Sequence, residues 1–170
     1  SNSGDLVIIH NGIIENYGSI KKELINRGYT FKSDTDTEVL VNLIEDVLVT
    51  EKCFLEEAVR IALNQVVGAY AICVFSRTKG DQIVFAKMGS PLVVGLGENE
   101  YFIASDASPI AEYTSQVIYL NDEDIAIIQK DGFTLKNVRN NPVSVKISNI
   151  DLEIGELDKG EYDYFMMKEI

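Results

Sequence analysis

The chain has 170 residues, 46% of them hydrophobic, with 15 basic against 27 acidic side chains and a net charge of −12. That length suits one domain with a sizeable core, and so acidic a surface repels phosphate backbones, which argues against nucleic acid and anionic membrane as partners. No apolar run reaches the roughly 18–20 residues of a membrane span and the N-terminus lacks the layout of a signal peptide, so cytoplasmic residence is the default expectation.

In chain order, "DLVIIH" reads as a short buried strand ending at His10, and Asn11-Gly12 follows. Asn-Gly between two apolar runs is a hairpin signal. The same pair is also an amide side chain and a freely oriented Gly N–H, two donors that can converge on one anion. "NYGSIKKELINRG" places Tyr17, Ile20 and Leu24 on one helical face and stops at Gly28. "TDTEVLVNLIEDVL" puts Val39, Leu43 and Val47 on one stripe with Leu40, Ile44 and Leu48 beside it, an apolar face wide enough to lie flat on a sheet. "FLEEAVRIAL" repeats the pattern with Leu55, Val59 and Leu63.

From Gly68 the period changes to strands. "AYAICVF" is continuously apolar, as a strand buried on both faces would be. "QIVFAK", "PLVVGL", "YFIAS", "QVIYL", "DIAIIQ" and "FTLKN" follow at short spacing, joined by the turn-like "RTKGD", "GENE" and "KDG". Asp131-Gly132 is a second hairpin signal. After "VSVKI" the tail turns acidic and irregular, and "YDYFMMKEI" reads as the start of a helix. Helices segregated from a strand meander predict an α+β fold with antiparallel sheet, not a doubly wound one.

In "SDTDTEV", Thr35 and Glu38 form a capping box for the helix that follows, and Asp34 and Asp36 suit its positive end. Asp36 is left over from the box, and its carboxylate suits a substrate ammonium. A calcium loop is disfavoured because the EF-hand glycine and distal glutamate are absent. "GLG" at Gly95 to Gly97 has no third glycine and no helix after it, so a dinucleotide reading is poor; Gly89 to Pro91 reads as a tight turn entering a strand. There is no serine elbow, and His10 has no obvious nucleophile beside it. Cys53 and Cys73 form no CxxC pair, supply too few ligands for zinc with His10 alone, and read as small buried hydrophobes.

Taken together, "HNGIIENY", "LINRGYTFKSDTDTEVL", "GAYAICVF", "GSPLVVGLGENEYFIASDASPI" and "DKGEYDYFMMKEI" resemble the glutaminase (class II glutamine amidotransferase) domain of the glucosamine-6-phosphate synthase family, the isomerizing glutamine–fructose-6-phosphate aminotransferases. The resemblance covers nearly all 170 residues in order. "HNGIIEN" with "SDTDTE" separates it from the purine-pathway amidophosphoribosyltransferase and from asparagine synthetase, which keep the Asn-Gly but differ around it. It implies an N-terminal-nucleophile hydrolase fold, an αββα sandwich of antiparallel sheets, with residues 1–170 as part of a single domain. It also implies that the Asn11 amide and the Gly12 N–H form an oxyanion hole for the tetrahedral intermediate on the glutamine side-chain carbonyl, and that Asp36 binds the glutamine α-amino group. No metal or redox cofactor is implied. The implied substrates are glutamine and fructose 6-phosphate, the latter through an isomerase domain that would follow "MMKEI".

The family's nucleophile, an N-terminal cysteine whose own α-amine is the base, has no match in this chain. Nor do the family's carboxylate-clamping arginine loop and its neighbouring tryptophan. Ser1 lies ten residues before Asn11 on what reads as one extended strand, up to about 30 Å away, too far to substitute. The expectation is the C-terminal part of a glutaminase domain, inactive by itself. Its incomplete sheet would leave strand edges and apolar surface that invite self-association. Two other readings stand beside it: a different class II amidotransferase of the purine-pathway type, and a non-catalytic binding or assembly module with the same fold.

Overall fold

A computed structural model describes residues 1–130 and 132–150; the helix start read in "YDYFMMKEI" lies outside them. In chain order the elements are β1 (Leu6–Ile14), α1 (Tyr17–Asn26), α2 (Asp36–Glu51), α3 (Leu55–Leu63), β2 (Gly68–Ser76), β3 (Gln82–Met88), β4 (Val93–Leu96), β5 (Tyr101–Ala104), β6 (Gln116–Tyr119), β7 (Asp124–Gln129), β8 (Gly132–Asn137) and β9 (Ser148–Asn149). They form two compact units, Ser1–Leu92 with Leu120–Val145, and Val93–Tyr119 with the segment from Lys146.

The first unit is a five-stranded sheet in the order β1-β2-β3-β7-β8, every pair antiparallel, with three helices against one face. Strand alternation puts Leu6, Ile14, Tyr70, Ile72, Val74, Val84, Ala86, Ile125 and Ile127 on that face, in one core with Ile20 and Leu24 of α1, Leu40 and Ile44 of α2, and Val59 of α3. Burying each large side chain contributes about 1.5–3 kcal/mol, so α2, which supplies the most, anchors the unit. The amphipathic pattern predicts one apolar face for α2, yet every residue from Val39 to Val47 is buried, Asn42, Glu45 and Asp46 included. Partners that periodicity cannot show make Glu45 and Asp46 tolerable there, whereas the Asn42 amide has no hydrogen-bond partner among the described residues. The Ser3 N–H donates to Glu45 (3.2 Å) and Arg27 pairs with Asp46.

Other expectations are met or revised. Helix α1 stops as predicted. Gly28 takes φ +94° and donates to the Ile25 carbonyl, and Tyr29 donates to Leu24, the paired bonds of a Schellman cap. Tyr17, however, is exposed. β7 and β8 form the expected hairpin, with Gln129 opposite Gly132; Asp131 lies outside the described residues. On β2 the helix-facing side is buried, while on the other side Ala71 is buried and Cys73 only half-buried; Cys53 is half-buried too. Ser1 does not begin an extended strand. Its α-amine donates to the Leu6 carbonyl (2.8 Å) and Leu6 N–H returns to Ser1 Oγ (3.0 Å), closing a turn that leaves Ser1 at the start of β1.

The second unit is a smaller antiparallel sheet, β5-β4-β6-β9, around Val93, Ile110 and Val117. A Cβ on Gly95 would meet Ile110 and Thr114 at 3.0 Å and Phe102 at 3.2 Å, so "GLG" is a packing feature of a strand.

Candidate active site

The segment singled out by the sequence is not a turn. β1 runs straight through Asn11 and Gly12 to Ile14, with Asn11 opposite Ala71 and Gly12 opposite Tyr70 on β2. The hairpin signal was half right: a residue with positive φ is needed there, and Gly12 adopts +136°. That conformation is used inside a strand because β1 lies so close to β2 that a Cβ on Gly12 would sit 2.1 Å from the Ala69 carbonyl oxygen. Gly68 repeats the arrangement from the other side, with φ +136° and Ile13 O at 2.1 Å. The Asn11 side chain is exposed, and its amide bonds to nothing among the described residues.

The start of α2 docks on the same stretch. Thr35 caps the helix, its Oγ1 accepting from the Glu38 N–H at 3.3 Å. Glu38 does not close the expected box. Its carboxylate instead accepts from the Lys32 (2.8 Å) and Ser33 (2.6 Å) amides, knitting together the approach loop. Burial pushes the Glu38 carboxyl up, but the bonds from Ser33 and Lys32 outweigh it and hold the group below its ordinary value. Asp34 is fully exposed and pairs with Lys21 at 3.2 Å.

Asp36 is not spare, as the sequence suggested. Its Oδ2 accepts from the Ile14 N–H at 2.8 Å, which fixes the carboxylate against β1 and leaves Oδ1 for other work. Oδ1 lies 4.0 Å from His10 Nδ1, and that nitrogen also makes a 3.0 Å hydrogen bond with Thr37 Oγ1. Burial pushes the His10 pKa down more than the Asp36 charge raises it, so the ring is neutral at pH 7. Residues 10–14 of β1 therefore bring together three predicted groups: Asn11 and Gly12 in the strand, and Asp36 against it. What sequence reasoning missed is the scaffold around them. Thr37 and the Ile14 amide carry no sequence signal. Asn16 reaches the Gln65 carbonyl (2.8 Å) and accepts from the Val67 N–H (2.9 Å), tying the exit of β1 to the start of β2.

A cavity of about 280 Å³, lined by Asp5, Leu48, Cys53, Phe54 and Lys79 among others, lies by Leu6 at the far end of β1. Among the described residues no cluster of His, Cys, Asp and Glu could hold a metal ion, and no helix is long and apolar enough to cross a membrane.

The profile of the glutamine amidotransferase domain family matches residues 1–112. The chain belongs to this family. Isomerizing glutamine–fructose-6-phosphate aminotransferases from Chlorobaculum tepidum and Bacteroides thetaiotaomicron are 49% and 50% identical to this amidotransferase domain across 99% and 100% of it. The domain spans 28% of the length of either relative. Among solved structures, the glutamine phosphoribosylpyrophosphate amidotransferase of B. subtilis superposes with a TM-score of 0.71 at 24% identity, over 84% of this chain and 31% of that one. A class II glutamine aminotransferase domain protein from Silicibacter pomeroyi gives 0.54 at 15%, over 78% and 66%. These likenesses speak to fold. It is the α+β, N-terminal-nucleophile hydrolase fold of class II amidotransferases.

Proposed function

We propose that this amidotransferase domain is part of an isomerizing glutamine–fructose-6-phosphate aminotransferase. Such an enzyme hydrolyses glutamine and passes the ammonia to fructose 6-phosphate, giving glucosamine 6-phosphate in the cytoplasm. The observation that carries the reading is the convergence of Asn11, Gly12 and Asp36 on one five-residue stretch of β1. The names and identities of its relatives support the choice of acceptor; the likeness to the purine-pathway enzyme extends only to the fold.

The Asn11 amide and the Gly12 N–H are donors for the oxygen of the glutamine side-chain carbonyl, which becomes negative only as the tetrahedral intermediate forms. The Gly12 N–H, fixed in a strand, meets that charge with little reorganisation, and the Asn11 amide, bonded to nothing else among the described residues, is free to turn to it, so both favour the transition state over bound substrate. Asp36 holds the α-ammonium through Oδ1 while the Ile14 N–H keeps Oδ2 in place. Neither Cys53 nor Cys73 serves as the attacking thiol, because burial raises both pKa values, Cys73 to about 11. In the complete aminotransferase, Asn11→Ala lowers kcat by about 10²–10³ with little change in glutamine KM. Asp36→Asn keeps an acceptor for Ile14 but removes the charge, so it raises KM strongly. Wild-type kcat in a folded Asn11→Ala enzyme would refute the oxyanion assignment. The isolated chain self-associates through β1, an edge strand whose Ile9 and Ile13 are 66% and 68% exposed.

A further inference from the structure

His10 is buried to 2% side-chain exposure, yet the ring has one hydrogen-bond partner, Thr37 Oγ1, and its Nε2 is buried with none. A polar ring buried with half its capacity unmet costs free energy that an aliphatic side chain would not. What the ring does supply is a second tie between β1 and the first turn of α2. The Ile14–Asp36 bond is one tie and His10–Thr37 the other, and Asn11 and Gly12 lie between them.

We propose that His10 is a positioning residue for the glutaminase reaction: its neutral imidazole fixes the spacing between the Asn11–Gly12 donors and the Asp36 carboxylate, and its protonation takes Asp36 away from the substrate ammonium. This rests on the oxyanion and ammonium roles proposed above. The charge geometry carries it. From α2 the groups facing the ring are the Asp36 carboxylate and the neutral Thr37 hydroxyl. From β2, Ile72 stands opposite, and the nearest titratable group on the same face is the Tyr70 phenol opposite Gly12, pushed up to about 12 by burial and therefore uncharged. Ile8 and Gly12 flank the ring within β1 and carry no charge. A protonated His10 thus has one counter-charge, Asp36 Oδ1 at 4.0 Å, the same oxygen that Ile14 leaves free for substrate. A protonated ring and a substrate ammonium compete for that oxygen, and the ring is held beside it by the chain. The Nδ1–Thr37 contact fits either direction of donation; the Nδ1–H tautomer is the one assigned, because it aims the ring's donor toward Asp36 and leaves only a lone pair on the buried Nε2.

His10 is the only histidine in the 170 residues, so its ring nitrogens give unambiguous NMR signals in this chain. The expected spectrum shows a single Nδ1–H tautomer and a pKa below 6.5, lowered further by Asp36→Asn. A ring that averages tautomers and titrates at 6.5 or above would overturn the proposal. In the complete aminotransferase, wild-type kcat/KM for glutamine falls about tenfold per pH unit below the His10 pKa, with the loss in KM. His10→Asn keeps a donor at the Nδ1 position and cannot titrate. It holds KM level over that range, with kcat within about threefold of wild type. An acid limb unchanged in His10→Asn overturns the proposal, as does a variant slowed equally at every pH, the mark of a purely structural role. Failure of the underlying reading is distinguishable: Asn11→Ala with normal kcat removes the oxyanion role without touching the tautomer or the pKa.

Discussion

Replacing Gly12 by alanine tests how tightly the strand pair that carries the site is built. The new Cβ would lie 2.1 Å from Ala69 O, 2.8 Å from Ala69 C and 2.9 Å from Tyr70 Cα, all backbone atoms that no rotamer change can move aside. Ordinary contact begins at 3.4 Å, so β1 and β2 must part by more than an ångström. Holding alanine at φ +136° costs about 1–3 kcal/mol, overpacking adds about 1–3, and each ladder hydrogen bond lost adds about 1. With one such bond lost the total is about 3–7 kcal/mol, much of the roughly 5–15 kcal/mol that a domain has. Urea unfolding followed by circular dichroism reads this directly: at a slope of about 2 kcal/mol per M the midpoint falls by about 2 M. Gly18→Ala is the control, since nothing lies within 4 Å of that position and it sits in α1, where alanine stabilises by up to about 1 kcal/mol. A Gly12→Ala chain within about 1 kcal/mol of wild type would refute the close-approach argument.

Thr35→Ala removes the cap of α2 and costs about 1 kcal/mol in the same assay. Glu38→Gln destabilises at neutral pH, but the difference vanishes in acid. Because the folded pKa lies below the ordinary 4.5, the contribution is full above 4.5 and is lost as pH falls through the folded value; a penalty that persists at pH 2 would contradict it. With its pKa raised from 9.0 to about 11, Cys73 at pH 8 holds about a hundredfold less thiolate than an ordinary cysteine and alkylates correspondingly slowly in the folded chain. Ile9→Lys with Ile13→Lys lowers the self-association measured by light scattering, whereas an unchanged mass would move the contact away from β1. The 170-residue chain releases no glutamate from glutamine; release abolished by Ser1→Ala would make Ser1 a nucleophile after all.

Much of the fold was legible because local pattern and tertiary role agree. The stripes of α2 and α3, the Gly28 stop and the β7–β8 hairpin each follow from a few neighbouring residues. The errors occur where the deciding partner is distant in sequence. Asn-Gly reads as a turn that ends β1 at His10, and only the pairing with Ala71 and Tyr70 shows the strand continuing. The sequence leaves Asp36 over from the capping box for a substrate ammonium, and its bond from the Ile14 amide goes unseen because that is a backbone group that no side-chain pattern marks. The buried polar side of α2 was hidden for the same reason, since Ser3 and Arg27 come from outside the helix. At the site, Asn11, Gly12 and Asp36 could be named from sequence, but the ring that ties β1 to the turn bearing Asp36 could not.

The pairing of β1 with β2 also has a consequence for how the molecule is made and unmade. Its partners are 54 residues apart at Ile14–Gly68 and 70 apart at Leu6–Ser76, and all three helices lie in the loop between. Closing so long a loop is entropically slow, and its two ends differ by only about 0.2 kcal/mol. Both ends are clasped, by Asn16 on Gln65 and Val67 and by Asp5 on Ser76 and Thr78. Amide exchange along the β1–β2 ladder should therefore be nearly uniform, the strand that carries Asn11 and Gly12 opening as one unit.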